Sequence, residues 1–371
     1  MKERICHITT VHTANDIRIY IKECHSLSKS GYEVFLIAPD SFIPTKNSCI
    51  QIEFIPKENN RILRLIRGQW HAFKKTCKIK ADLYHFHDPE LIPLGLILKT
   101  MGKKVIYDVH EDLPRQILTK NWLPLWSRKI IATIAEFVEW IGTKFFDGVI
   151  TVTPLIQKRF PPHKTILIQN FPLKKELLAA EKIPYNERPL AIAYVGGLSQ
   201  IRGALEIVKA LEYTKSNIKL VIAGNIEPIS LLEEMKNLAG WEKVVYLGFI
   251  NRKEVARVLG KVRGGLVLPL PAPNHLKAQP NKLFEYMSAG IPVIASNFPM
   301  WEEFLEKEKC GITADPQSPM KIAKAIDWLI NHSEEACHMG ENAKRAIQNQ
   351  YNWEIEQQKL VNFYKTLFDE R

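Results

Sequence analysis

Short runs of apolar, often β-branched residues alternate along this chain with longer stretches in which apolar positions recur every three or four residues. The first pattern suits strands buried on both faces and the second suits amphipathic helices, so together they predict parallel βα repeats. Strands are expected at residues 5–10, 34–38, 83–87, 105–108, 149–152 and 165–168, then at 191–195, 220–223, 244–247, 266–270 and 293–295. Amphipathic helices are expected between them, as at 17–30 and 204–211. The pattern lapses over 173–189, where Lys, Glu, Pro and Asn take over. This predicts two doubly wound α/β domains, 1–173 and 186–352, with a final amphipathic helix, about 353–371, expected to pack back on the first. Ligands of open parallel sheets bind beyond the carboxyl ends of the strands, so the strand-to-helix loops and a cleft between the domains are where a site is expected.

Composition narrows the classes. With 371 residues, 46% of them apolar and 25% charged, the chain is neither disordered nor a disulfide-stapled miniprotein. Lysine and arginine exceed the acids by 11, and residues 1–180 hold 27 basic against 17 acidic side chains, so the excess lies almost wholly in the first half. Such a charge implies an anionic partner. Six scattered cysteines without a Cys-x-x-Cys pair fit reduced thiols in a cytosolic protein. The N-terminus shows no signal-peptide design, and the longest apolar runs, about eight residues, are far short of a bilayer span.

The most informative stretch, 279–295, reads QPNKLFEYMSAGIPVIA. Pro280 suits the start of a helix and Gly290 its left-handed end, which predicts a helix of about nine residues. Leu283, Phe284 and Met287 fall on one face, whereas Lys282 and Glu285 lie three apart on another, within reach of one ligand. A helix N-terminus with a cation in its first turn suits a diphosphate, and a carboxylate one turn on can accept from both hydroxyls of a ribose. An ordinary solvated Lys–Glu pair fits the spacing equally.

This stretch resembles the donor-binding signature of family 4 (group 1) glycosyltransferases of the GT-B fold, and the resemblance runs through almost the full length. It includes YVGGLSQIRG (194–203), VIAG (221–224) and YLGFI (246–250), while YHFHDPEL (84–91) and YDVHEDLP (107–114) look like a subgroup making bacterial surface polysaccharides. The resemblance implies two Rossmann-like domains facing across a cleft, a nucleoside-diphosphate sugar (UDP-linked) in the second domain and an acceptor at the first. It also implies that Phe249 and Ile250 bracket the base, Glu285 binds the ribose, and Arg202, Lys282 and the Gly196–Gly197 loop hold the diphosphate, with Gly224, Lys277, Asn281 and Leu283 in the same donor site. Two positions depart from the family: Lys277 stands where an acid is usual, and Gly197 where an arginine is common. Arg202, Lys282 and Lys277 supply the cations that a leaving diphosphate requires.

In the first domain His85 and His87 share one strand face and Asp88 follows. Donor-sugar or acceptor contacts, structural histidines and a metal pair are the available readings, and no third ligand has convincing spacing, so no metal is expected. His110, Glu111 and Asp112 follow another strand, either orienting an acceptor or capping a helix. Together His85, His87, Asp88, His110, Glu111 and Asp112 form the expected acceptor set, with His87, Glu111, Arg202 and Lys282 the expected catalytic groups. Arg18 is expected either to reach donor phosphates or to lie exposed in a first turn. Asp-x-Asp, G-x-G-x-x-G and P-loop patterns are absent, and no cofactor is expected.

Arg61, Arg64, Arg67 and Trp70 interleave cations with apolar residues, as do Trp122 and Trp126 with Lys120, Arg128 and Lys129. Contact with an anionic membrane is expected there, against a solvated face as the alternative. Nucleic acid is not expected. The resulting expectation is a cytoplasmic glycosyltransferase, peripheral on the inner membrane face, that moves a sugar with retention to a lipid-linked or polysaccharide acceptor. A sugar-nucleotide epimerase and a degenerate nucleotide-binding partner subunit are the alternatives.

Overall fold

The computed structural model describes residues 2–39, 49–120, 123–177 and 183–369. The chain divides into two units, Met1–Asn170 with Ile355–Arg371, and Phe171–Glu354. The first is built on seven strands: β1 (Arg4–Ile8), β2 (Glu33–Pro39), β3 (Ile50–Ile55), β4 (Leu83–Phe86), β5 (Lys104–Val109), β6 (Gly148–Thr151) and β7 (Thr165–Leu167). They pair in the order β3-β2-β1-β4-β5-β6-β7. The second holds β8 (Ala191–Val195), β9 (Lys219–Ala223), β10 (Val244–Gly248), β11 (Gly264–Val267), β12 (Val293–Ser296) and β13 (Gly311–Ala314), in the order β10-β9-β8-β11-β12-β13.

All the pairings are parallel. Strands covered by helices on both faces carry continuous apolar runs, which is why β4, β8 and β12 are buried throughout. Two strands lie outside the expected set. The β3 run IQIEFI alternates apolar and polar because it is an edge strand, and β13, GITA, is a short, half-polar edge. The strand expected at 266–270 occupies Gly264–Val267 instead: Gly264 and Gly265 pair with Ile192 and Ala193 of β8.

Each sheet has a switch point where the strand order reverses, between β1 and β4 in the first unit and between β8 and β11 in the second. Beside the second of these, the loops after β8 and β9 meet through bare backbone. Gly224, at φ +149°, would place a Cβ 2.3 Å from the Gly196 carbonyl oxygen, and the Gly196 N–H donates to Ala223 O at 2.7 Å. Gly102 also has a positive φ, +73°, but nothing within 4 Å of a Cβ there. Gly224→Ala is therefore expected to destabilise the protein by at least about 2 kcal/mol more than Gly102→Ala, since it adds a backbone clash to the conformational cost; denaturant unfolding of the two variants measures the difference.

Candidate functional site

In the second unit the helix Asn281–Ala289 starts directly after Pro280, has no side chain capping its first turn, and ends at Gly290 with φ +71°. Leu283, Phe284 and Met287 are buried as their spacing predicts. So is Tyr286, whose hydroxyl accepts from the Val195 N–H of β8 at 2.9 Å. A Cβ at Gly265 would lie 2.4 Å from the Tyr286 ring, so glycine in β11 makes the space the ring fills. This bond fixes the helix to the ends of β8 and β11.

On the face away from the core, Lys282 Nζ lies 2.5 Å from the Tyr194 hydroxyl, 3.3 Å from Gly197 O and 3.8 Å from the Tyr194 ring centre. Arg202 Nη1 donates to the same Gly197 carbonyl at 2.6 Å. A cavity of about 280 Å³ opens here, lined by Tyr194, Arg202, Leu268, His275, Asn281 and Lys282 among others. Burial, with Arg202 adding repulsion and Glu285 partly opposing it, pushes the Lys282 ammonium down to about 7. Two cations brought together with no ion-pair partner among the described residues are suited to an anion that would spread charge over both.

Glu285 accepts from Arg252 Nη1 at 2.9 Å, and Arg252 Nε also holds Glu176 at 3.0 Å. The Asn251–Glu254 capping box starts the helix Arg252–Leu259 and places Arg252 in its first turn. Sequence reasoning missed Arg252; that capping box is the signal that could have marked it. Other expected donor residues lie elsewhere. Leu283 is turned under the helix and lines an adjoining apolar hollow of about 200 Å³ with Phe284 and Trp301, Gly224 is packed beneath Gly196, Phe249 is 80% exposed, and Lys277 is exposed outside the cavity lining. Ile250 packs against the core.

The first unit gathers a buried polar cluster at its own switch point. Arg18 comes from a wide-turned helical segment, Ile17–Cys24, whose entry is held by Asp16 accepting from the N–H groups of Arg18 and Ile19. The expectation that Arg18 reaches phosphates or lies exposed is corrected: it is 4% exposed, and its guanidinium binds both Asp108 oxygens at 3.1 to 3.2 Å and Ile168 O at 3.1 Å. Burial would lift the Asp108 carboxyl, but Arg18, with His110 and His87 hydrogen-bonded to it, holds it well below the usual carboxylate range.

His85, His87 and Asp88 do not face solvent as an acceptor set would require. His85 Nδ1 is 2.7 Å from the Tyr364 hydroxyl, and His87 contacts His7 Nδ1 at 2.9 Å and His110 Nε2 at 3.1 Å. Burial pushes His85 well down and His87 down to about 4, leaving both imidazoles neutral at neutral pH. Asp88 closes the β1 loop, accepting from Thr9 Oγ1 at 2.8 Å and Thr10 N at 2.7 Å. His110, Glu111 and Asp112 keep solvent access. Asp112 precedes the helix Leu113–Leu118 but does not cap it through its side chain, which pairs instead with Arg115 and Arg159. The third and fourth side chains that spacing along the chain could not supply to His85 and His87 arrive from other elements: His7 from β1 and Glu23 from Ile17–Cys24.

Arg61, Arg67 and Trp70 are exposed, and Trp126 is 75% exposed. Arg64 is not available to a surface ligand, since its guanidinium pairs with Glu90 at 2.7 Å. Trp122 lies outside the described residues.

Residues 177–346 match the sequence profile described as Glycosyl transferases group 1, and residues 18–166 match that of Glycosyltransferase Family 4. The chain belongs to the family 4, group 1 glycosyltransferases. Among similar curated proteins, an uncharacterized glycosyltransferase of Methanocaldococcus jannaschii is 30% identical over 47% of this chain and 44% of its own length. D-rhamnosyltransferase WbpZ of Pseudomonas aeruginosa is 23% identical over 71% of this chain and 68% of its own. The match thus spans less than half the length of the first relative and about two thirds of the second. Sucrose-phosphate synthase from Thermosynechococcus elongatus superposes with a TM-score of 0.78 at 19% identity, covering 100% of both chains. Anabaena HepE in complex with UDP and glucose does so with 0.75 at 13% identity, covering 98% of this chain and 100% of its own. The chain has the GT-B fold.

Asp108 has no exposed surface and depends on Arg18 for its charge. Arg18→Met is expected to destabilise the first unit by about 3–5 kcal/mol, and Arg18→Lys by less, because a buried carboxylate loses its guanidinium partner. Urea unfolding of both variants against wild type measures the loss.

Proposed function

We propose that this glycosyltransferase moves a sugar, with retention, from a nucleoside-diphosphate donor, UDP-linked, to a lipid-linked or polysaccharide acceptor in cell-surface glycan synthesis. The observation that carries the reading is the convergence of Lys282 and Arg202 on Gly197 O at the start of the helix Asn281–Ala289. Negative charge accumulates on the departing diphosphate in the transition state, so fixed cations and helix amides there stabilise it more than the ground state. Glu285, oriented by Arg252, accepts from the ribose hydroxyls. The departing phosphate takes the acceptor proton, so no side-chain base is required. UDP is carried over from the complex of the Anabaena neighbour, and surface glycan from relatives such as WbpZ and the O-antigen biosynthesis glycosyltransferase WclY of Escherichia coli. His110, Glu111 and Asp112 are the acceptor-side groups that this reading retains.

The first unit supports the membrane part of the proposal. Ile62, Leu65, Ile66 and Trp70 are exposed beside Arg61, Arg67 and Lys74. The helix Leu125–Phe145 also exposes Trp126, Ile130, Ile134, Phe137 and Trp140, spaced three or four apart, with Lys144 Nζ 3.5 Å from the Trp140 ring centre. A basic, aromatic face of this kind suits an anionic bilayer surface. No helix among the described residues is long and apolar enough to cross a membrane. The enzyme would act on the inner face of the cell membrane.

Three outcomes are expected. Lys282→Ala should lower turnover of the donor by about 10²–10³-fold, and Glu285→Ala by about 10–100-fold; wild-type rates in both variants would remove this site. Because Lys282 loses its proton near pH 7 in the free protein and a bound diphosphate favours the charged form, UDP affinity should be constant below that pH. Above it, affinity should weaken by up to about tenfold per pH unit, and Lys282→Met should abolish this slope, as calorimetric titration across pH 6–9 would reveal. Co-sedimentation with phosphatidylglycerol vesicles should fall several-fold in an Arg61→Glu/Arg67→Glu/Phe137→Glu variant; unchanged binding counts against the membrane surface.

A further inference from the structure

The buried cluster at the end of β1 and β4 plays no part in the donor chemistry above. Its side chains are sealed: His7, His85 and Glu23 are 0% exposed and His87 2%. Even so, among the described residues His7 Nε2, His85 Nε2 and both carboxylate oxygens of Glu23 lack a hydrogen-bond partner. Arg18 Nε lies 3.0 Å from Glu23 Oε1 without hydrogen-bond geometry. Such orphaned polar atoms are costly unless something else binds them, and His85 Nε2 with the Glu23 carboxylate, beside His7 Nδ1 and His87 Nε2, points to a missing common partner.

We propose that His7, Glu23, His85 and His87 form a binding site for one transition-metal ion of the zinc class. One ligand atom from each of the four residues lies within 4.8 Å of all the others. His7 Nδ1 and His87 Nε2 are 2.9 Å apart, with Glu23 Oε2 3.8 Å from the first and 3.9 Å from the second. Tetrahedral coordination with bonds of about 2.0–2.2 Å spaces ligand atoms about 3.3 Å apart, the middle of that range. Three imidazoles and one carboxylate favour zinc, cobalt, nickel or iron over magnesium or calcium.

The outer contacts are those that orient metal-bound histidines. The Tyr364 hydroxyl sits on His85 Nδ1 at 2.7 Å, and Asp108 Oδ2 is 3.3 Å from His87 Nδ1, which turns the opposite Nε2 of each ring toward the cluster. The ligands come from β1, from Ile17–Cys24 and from β4 with the residue just beyond its end. Four protein ligands and full burial leave no open position for a substrate, so the ion is structural and ties the two central strands to the first helical segment.

The test uses the full chain, purified without added metal or affinity tag. Mass-spectrometric metal analysis should find about one equivalent of a first-row transition metal per chain. Stripping with a chelator should lower the thermal midpoint by about 5 °C or more, and Zn²⁺ should restore it. Co²⁺ added to the stripped protein should give the visible absorption of a tetrahedral site. Glu23→Gln and His87→Gln should each reduce bound metal at least tenfold, whereas Lys74→Ala should leave it unchanged. Wild-type protein that carries less than about a tenth of an equivalent, gives no Co²⁺ absorption and shows no Zn²⁺-dependent shift would overturn the site, assigning the orphaned atoms to buried water. Retention of a full equivalent by His87→Gln would overturn it equally. The wild-type measurements decide the matter even if a variant fails to fold, and none of them depends on transfer activity.

Discussion

Asp108 stands in β5, without exposed surface, and is held ionised chiefly by Arg18, which reaches both of its oxygens from the segment Ile17–Cys24. A buried carboxylate and a buried guanidinium are each costly alone and tolerable together, so the two cannot be positioned independently. The pairing locks that segment across the carboxyl ends of the central strands. His87 and His110 then share Asp108 Oδ2 with the arginine, and Asp88 holds the loop between β1 and Ile17–Cys24 by accepting from Thr9 and Thr10. The end of the first sheet is thus organised around charge, in a unit whose strands are otherwise apolar.

The second unit solves the same topological problem with backbone. Beside its switch point Gly196 and Gly224 bring the loops after β8 and β9 into a contact that no side chain would permit. The space above them admits Lys282 and Arg202, which meet at one carbonyl oxygen. The two halves of this molecule place their polar groups at equivalent positions of the same architecture, one set sealed and one open. In the readings proposed above, that difference separates a site that accepts ligand from one that holds structure together.

Much of the architecture is legible in the sequence because parallel strands covered on both faces leave unmistakable apolar runs. The helix Asn281–Ala289 is readable to its ends, since Pro280 and Gly290 punctuate it. Edge strands β3 and β13 escape the same reading, because one face of an edge meets water and the apolar run breaks up. The start of β11 escapes for a different reason: Gly265, which has no side chain to extend the apolar run, leaves the gap into which Tyr286 fits. At the site, Lys282 and Arg202 are legible through local spacing and family pattern, but Arg252, Glu23, His7 and Asp108 reach their partners from distant elements. Burial is equally hidden. His85, His87 and Asp88 stand in a motif that looks like a mouth for substrate, and only the packing of Arg18 and Tyr364 over the cluster reveals that they lie beneath the surface.

The hydroxyl of Tyr286 on the Val195 amide has a consequence for how a ligand is received. The helix bearing Lys282 and Glu285 cannot tilt toward a bound molecule without breaking that bond and lifting an aromatic ring out of the notch at Gly265. Its groups are consequently set before the ligand arrives, and little ordering entropy remains to be spent on that side of the pocket when it binds. Association there should be governed by diffusion and by the charge of the incoming molecule, with the rate insensitive to any local rearrangement of the receiving helix.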